Sequence, residues 1–268
     1  MNYTLPNKLK LFAIILMVLG AVGIGAGFLS APGSTAEVKQ MMAAHGDDHG
    51  EASNESHDTI KDSHGDAAHG ASHDAADEQK HLEHTLHQLQ NRPWSALYVA
   101  CFFFFMIALG ALAFYAVNFA AQAGWSPVLF RVMEAVTAYL VPGGIIMFVL
   151  LGLSGFHINH LFVWADPEVV AHDKLLQGKA SWLNGTWMLI RAAIFLGGWI
   201  TYRHFAVKFS RAGDTAKEND YSNFKKTFRI SAGFLVFFLY TESMMSWDWI
   251  MSFDPHWFST LFGWYVLA

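Results

Sequence analysis

Residues 94–121 restrict this chain more than any other stretch: twenty-eight successive side chains include no Asp, Glu, Lys, Arg or His. A helix crosses the hydrocarbon of a bilayer in about 20 residues. Four further apolar runs reach that length, at residues 9–29, 129–153, 182–202 and 230–251. A sixth begins at Trp257 and stops with the sequence at Ala268. It is too short to span, and a helix ending in mid-lipid leaves carbonyls unsatisfied, so we read it as the start of a span that continues. The expected fold class is an all-α membrane protein: a polytopic transmembrane helix bundle with five full spans and the start of a sixth. Its expected divisions are an anchor (residues 1–29), a His/Asp-rich loop (30–93) and the helix bundle (94–268).

Composition agrees. Hydrophobic residues make up 53% and charged residues 15% of the 268, against about 25% charged in soluble domains. The single cysteine, Cys101, excludes a disulfide framework, a cysteine-ligated zinc site, an iron–sulfur cluster and a c-type haem attachment. Lys8 and Lys10, at the start of the first run, suit the n-region of a signal peptide, but the run is long and no clear A-x-A site follows. We read it as a retained anchor. Gly23 and Gly27 stand at GxxxG spacing, which either admits a close helix or reflects the frequency of glycine in membrane helices.

Short-loop cations set the expected orientation. Arg203, Lys208, Arg211, Lys217, Lys225, Lys226 and Arg229 crowd one connection; residues 154–181 carry only Lys174 and Lys179. With Lys8 and Lys10 inside, alternation also puts the cation-rich connection inside. The expectation is a multi-pass protein of the bacterial inner (cytoplasmic) membrane with a cytoplasmic N-terminus. Residues 30–93, 154–181 and 252–256 then lie outside.

Nine of the 14 histidines fall between His45 and His87, in a low-complexity stretch rich in Asp, Gly and Ala. Metal capture needs a regular ligand interval, and the spacing here is irregular; a solvated outer loop is the plainer reading. Leu82, Leu86 and Leu89 predict a helix leading into the second span. Asn54-Glu-Ser matches a glycosylation sequon.

Ionisable residues inside lipid cost several kcal/mol unless paired or hydrated, so each is a functional candidate. Counted from the outer helix ends, Arg191 lies roughly 15 Å deep and Glu242 roughly 13 Å. Equal depth on consecutive antiparallel helices predicts an ion pair, whether structural or part of a proton path. Glu134 follows Arg131 by three residues, the spacing of a local salt bridge. Asp248, Asp254 and His256 continue outward from Glu242. A carboxyl held out of water exchanges protons near neutral pH, so the series is a candidate proton path. Each member also has a plain reading. Asp254 before Pro255 suits an N-cap opening the sixth span, His256 suits an interfacial belt, and Asp248 could snorkel to the interface between Trp247 and Trp249. A b-type haem needs facing imidazoles within the bundle. His157, His160 and His204 all lie at span ends, which argues against it. Pro142, in "LVPGG", frees the third span to kink.

The segment "YTESMMSWDWIMSFDPHWFSTLFGWYV", with "GWSPVLFRVMEA", "PGG" and "GFHINHLFVWA", resembles the NrfD/PsrC-like membrane subunits of bacterial alternative complex III. The likeness runs from about residue 94 onward. It implies a fold of about ten transmembrane helices with two four-helix bundles, of which the second is absent from this chain. It also implies a place in quinol:cytochrome c oxidoreduction beside a sister NrfD-like subunit and outer iron–sulfur and cytochrome c subunits. No covalently bound cofactor is implied; quinone or menaquinone lies at or near the chain, and lipids surround it. Nucleic acid is not an expected partner.

By that likeness Glu242, Asp248, Asp254 and His256 are proton-path candidates. Arg191 and Glu134 are added by our own reading of the charges. The chain is then a subunit of an oxidoreductase without its own redox centre or metal site, supporting the membrane arm and conducting protons. The alternative is a quinol-binding catalytic subunit, with His157, His160 and Asp248 near the quinone. A metal-ion transporter with a His-rich collecting loop ranks last, because no HxxxH or HxxxD pair lies within the spans.

Overall fold

The computed structural model describes residues 6–45, 70–156, 158–159, 161–217 and 220–268. Among them the chain is all-helical, without a strand. The helices are α1 (Asn7–Leu29), α2 (Thr35–His45), α3 (Gly70–Ala120), α4 (Pro127–Val136), α5 (Leu140–Gly155), α6 (Pro167–His172), α7 (Lys174–Lys179), α8 (Gly185–Asp214), α9 (Ser222–Trp249) and α10 (Phe262–Leu267). The chain divides into two compact units, Met1–Ser95 and Ala96–Ala268.

In the first unit α1 is apolar all round and has no buried residue, the pattern of a helix surrounded by lipid. Its end meets the early part of α3. Phe28 stands edge-on to Trp94, with ring centroids 4.8 Å apart. A Cβ on Gly27 would touch Pro93 at 3.9 Å, whereas Gly23 faces open space. Only half of the GxxxG pair is therefore used within this unit. Gln90 donates to the Pro32 carbonyl at 3.1 Å. The predicted helix around Leu82–Leu89 is part of α3. Residues 46–69, with the sequon at Asn54 and much of the irregular histidine pattern, lie outside the described residues.

In the second unit α3, α5, α8 and α9 share an aromatic core. Phe105, Met147, Leu151, Trp199, Met245 and Trp249 are fully buried. Phe105 lies 5.9 Å and Trp199 6.3 Å from Trp249, centroid to centroid. The Tyr98 hydroxyl of α3 donates to the Trp249 carbonyl at 2.9 Å. That carbonyl belongs to the last turn of α9, where no intrahelical donor remains. The 129–153 run is not one regular helix. α4 gives way to a 3-10 turn at Thr137–Tyr139, and α5 then starts at Leu140. Pro142 has no N–H to return to Ala138, so the irregularity falls one turn before the proline.

Small residues set the closest approaches. A Cβ on Gly185 would lie 3.3 Å from the Gly155 Cα and 3.4 Å from its carbonyl oxygen. Both obstacles are backbone, so neither can swing aside. Gly185→Val is expected to force α5 and α8 apart and to cost about 1–3 kcal/mol. Gly197→Val, where a Cβ meets nothing within 4 Å, is the matched control. Equal thermal unfolding of the two variants would remove this account of the crossing.

Among the described residues, three helices are long and apolar enough to cross a membrane: Asn7–Leu29, Thr85–Ala120 and Pro127–Gly155. The five full spans expected from the sequence are thus narrowed to three by this measure. α8 and α9 have the length, at 30 and 28 residues, but polar side chains dilute their apolar runs. Those side chains face each other. Arg191 holds Asp248, the Trp199 indole donates to Thr241 Oγ1 at 3.0 Å, and the Tyr202 and Ser231 hydroxyls are 2.8 Å apart. The α8–α9 interface is extensive, and these pairs bridge it at successive levels.

Candidate functional site

Asp248 lies one residue before the end of α9, with a fully buried side chain. Arg191 on α8 grips it twice: Nε donates to Oδ2 at 2.5 Å and Nη2 to Oδ1 at 2.9 Å. The Trp182 indole N–H adds a third bond to Oδ1, at 2.9 Å. The Trp182 carbonyl accepts from Arg191 Nη2 at 3.1 Å, and the guanidinium stacks 4.2 Å from the Trp182 ring centre. Such a bidentate, charge-assisted pair is among the stronger polar contacts available to a protein. Every Asp248 oxygen is engaged, so the site is a closed clamp. It does not snorkel to an interface.

The expected Arg191–Glu242 pair is therefore not formed; Arg191 pairs with Asp248. The depth estimate set the two helix ends level and gave side chains no reach. Arginine on a helix leans toward the helix N-terminus, and here the guanidinium reaches back to Trp182, before α8 begins. Asp248, six residues beyond Glu242, then lies within its grasp.

Glu242 is 1% exposed, and neither carboxyl oxygen has a partner among the described residues. It lies on the wall of a cavity of about 720 Å³ between α3, α9 and α10, with Gly110, Phe114, Leu239 and Val266. A buried carboxyl without a donor is costly, and among the described residues Glu242 is the carboxyl with both oxygens buried and unpartnered. Glu242 and Asp248 stand on different sides of α9: one faces the cavity, the other α8.

Glu134, also buried, is tied locally. Arg131 Nη1 donates to Oε2 at 2.6 Å and Tyr115 to Oε1 at 3.4 Å, and Arg131 further bonds Asp214. The local salt bridge expected from the sequence is present, at the opposite end of α8 from the Asp248 clamp. Asp254 caps a turn, not a helix. Its Oδ1 accepts from the His256 and Trp257 amides at 3.2 and 3.4 Å, while α10 starts only at Phe262. The intervening residues 255–261 displace the helix start that Asp254-Pro255 led us to expect.

His256 Nε2 meets Asp173 Oδ2 at 2.8 Å. Partial desolvation works to raise the Asp173 pKa. The Leu175 and Leu176 amides and His256 outweigh it, and the carboxyl titrates below its usual range. Asp173 was missed as a site residue; its place before Lys174, as the N-cap of α7, was the available signal. Trp182 was missed as well, because a tryptophan at a span end reads as belt. His157 and His160 lie outside the described residues. Arg191, Asp248 and Trp182 thus form one cluster, Asp173 and His256 a second, and Glu242 and Glu134 stand apart from both. No protein-family model and no curated protein matches this chain.

Proposed function

We propose that the chain is an integral membrane subunit of a respiratory quinol:cytochrome c oxidoreductase, of the NrfD/PsrC-like type found in alternative complex III. In this reading α8 and α9 are also spans, giving five, with α10 at the start of a sixth. Apart from Glu242, which faces a cavity, the pairs Arg191–Asp248, Trp199–Thr241 and Tyr202–Ser231 join the two helices, which is how membrane helices carry such groups without exposing them to lipid. The cation-rich connection around residues 203–229 faces the cytoplasm with the N-terminus. The subunit supports the membrane arm and conducts protons. Its partners are the sister NrfD-like subunit and outer iron–sulfur and cytochrome c subunits.

One observation carries the proton-conducting part: the buried Glu242 carboxyl, free of hydrogen bonds from described residues, beside a cavity of about 720 Å³. A carboxyl engaged like Asp248 is held by its partners; one engaged by nothing is available to take up and release a proton. Glu242→Gln removes the titrating group with little change of shape. It is expected to lower protons released per electron transferred while the complex still assembles. Unchanged stoichiometry in the assembled variant would overturn the role of Glu242.

A further inference from the structure

A second cavity, of about 550 Å³, opens beside the Asp248 clamp, where α7, the residues just before α8 (Trp182 and Leu183) and the end of α9 meet residues 251–258. Its volume falls in the range of about 300–1,000 Å³ typical of small-molecule sites. Leu175, Trp182, Trp247, Met251 and Phe258 form apolar walls, and Lys179 stands among them. The ammonium of Lys179 donates to the Pro255 carbonyl at 2.6 Å and lies 5.8 Å from the Phe258 ring centre. Both partners are neutral, and no carboxylate pairs with it among the described residues. An ammonium has three N–H donors, so two remain for a ligand. The pocket thus combines an apolar trough with an unneutralised cation.

We infer that this pocket binds a phospholipid, its phosphate on Lys179 and an acyl chain along the tryptophan-lined trough. The inference rests on the membrane placement proposed above, in which this end of the bundle lies at the outer interface. There tryptophan and lysine are at home, with apolar bodies in lipid and polar tips at headgroup level. Charge complementarity selects the headgroup: a cation with only neutral contacts favours an acceptor that carries negative charge. The apolar walls select an amphiphile over a free anion. A lipid seated there would cover Trp182, whose ring stacks on Arg191, and shield the Arg191–Asp248 clamp from outer water.

The test uses the full chain, purified in detergent and stripped of lipid, with binding read by native mass spectrometry. Dioleoylphosphatidylglycerol is expected to bind one per chain. Dioleoylglycerol, with the same chains and no phosphate, and inorganic phosphate alone are each expected to bind about tenfold or more weaker. Lys179→Gln is expected to weaken phosphatidylglycerol binding about tenfold, the effect of losing a charge-assisted hydrogen bond, and Lys179→Arg to restore part of it. Met251→Trp, which fills the trough, is expected to abolish binding with the melting temperature kept. Wild-type retention in Lys179→Gln, or equal binding of dioleoylglycerol, overturns the phosphate contact. Equal binding of inorganic phosphate overturns the lipid. Carbonate extraction of native membranes separates the two levels. A chain that resists extraction but retains no lipid defeats this inference alone, and a chain that is extracted defeats the membrane placement with it.

Discussion

Arg191→Ala is expected to destabilise the helix bundle by about 3–5 kcal/mol, because it leaves the Asp248 carboxylate buried and without its counter-charge. The geometry makes the cost severe. Asp248 has no exposed side-chain surface and cannot turn to water, and two of its three hydrogen bonds come from the guanidinium. Arg191→Lys is not a conservative exchange here, since an ammonium cannot reproduce the two-pronged grip or the stacking on Trp182. The double variant Arg191→Met/Asp248→Leu removes both charges and their desolvation cost. It is expected to recover most of the loss, as buried pairs replaced by apolar residues commonly do. Thermal unfolding of the wild type, Arg191→Met, Asp248→Leu and the double variant in one detergent completes the cycle. If the single and double losses simply add, the two residues are not coupled and the clamp has no energetic meaning.

Trp249→Ala is expected to cost about 2–4 kcal/mol. The large ring is wholly buried and touches Phe102, Phe105 and Trp199. Removing it opens a cavity that the flanking rings, fixed on α3 and α8, cannot close. In lipid the water-transfer part of such a loss shrinks, and lost packing contributes most of it. The indole N–H of Trp249 is buried without a partner among the described residues, so Trp249→Phe is expected to cost much less than Trp249→Ala. Equal melting of the Phe and Ala variants would show that the site collapses freely, and the aromatic cluster would lose its assigned role. The Tyr98 hydroxyl bonds the Trp249 backbone and is preserved in both variants, which keeps the comparison to the ring alone.

The Glu242 and Arg191 experiments interrogate different properties. Asp248 is a satisfied carboxylate whose loss of partner shows in stability. Glu242 is an unsatisfied carboxyl whose replacement by an amide shows in proton stoichiometry. Both stand on the same helix, six residues apart, and the rotation between them turns one toward α8 and the other toward the cavity. The single outward series expected from the sequence is thus divided between two neighbours, α8 for Asp248 and the cavity for Glu242.

The apolar runs announced helices, because a long uninterrupted apolar stretch has no other economical way to satisfy its backbone. The run at residues 94–121 lies almost wholly within α3, and the 182–202 and 230–251 runs fall on α8 and α9 to within a few residues. The i, i+3 spacing of Arg131 and Glu134 likewise made their contact legible, since both ends of it lie on one helical face. The oddity of Glu242 was equally visible, as an acid in an apolar run. Tertiary structure alone decided which charge meets which. Pairing between helices depends on their stagger and on the lean of a long side chain, and neither is written in the spacing of either helix alone. That is why Arg191 closes on Asp248 and Trp182, and why Glu242 is left facing an open cavity.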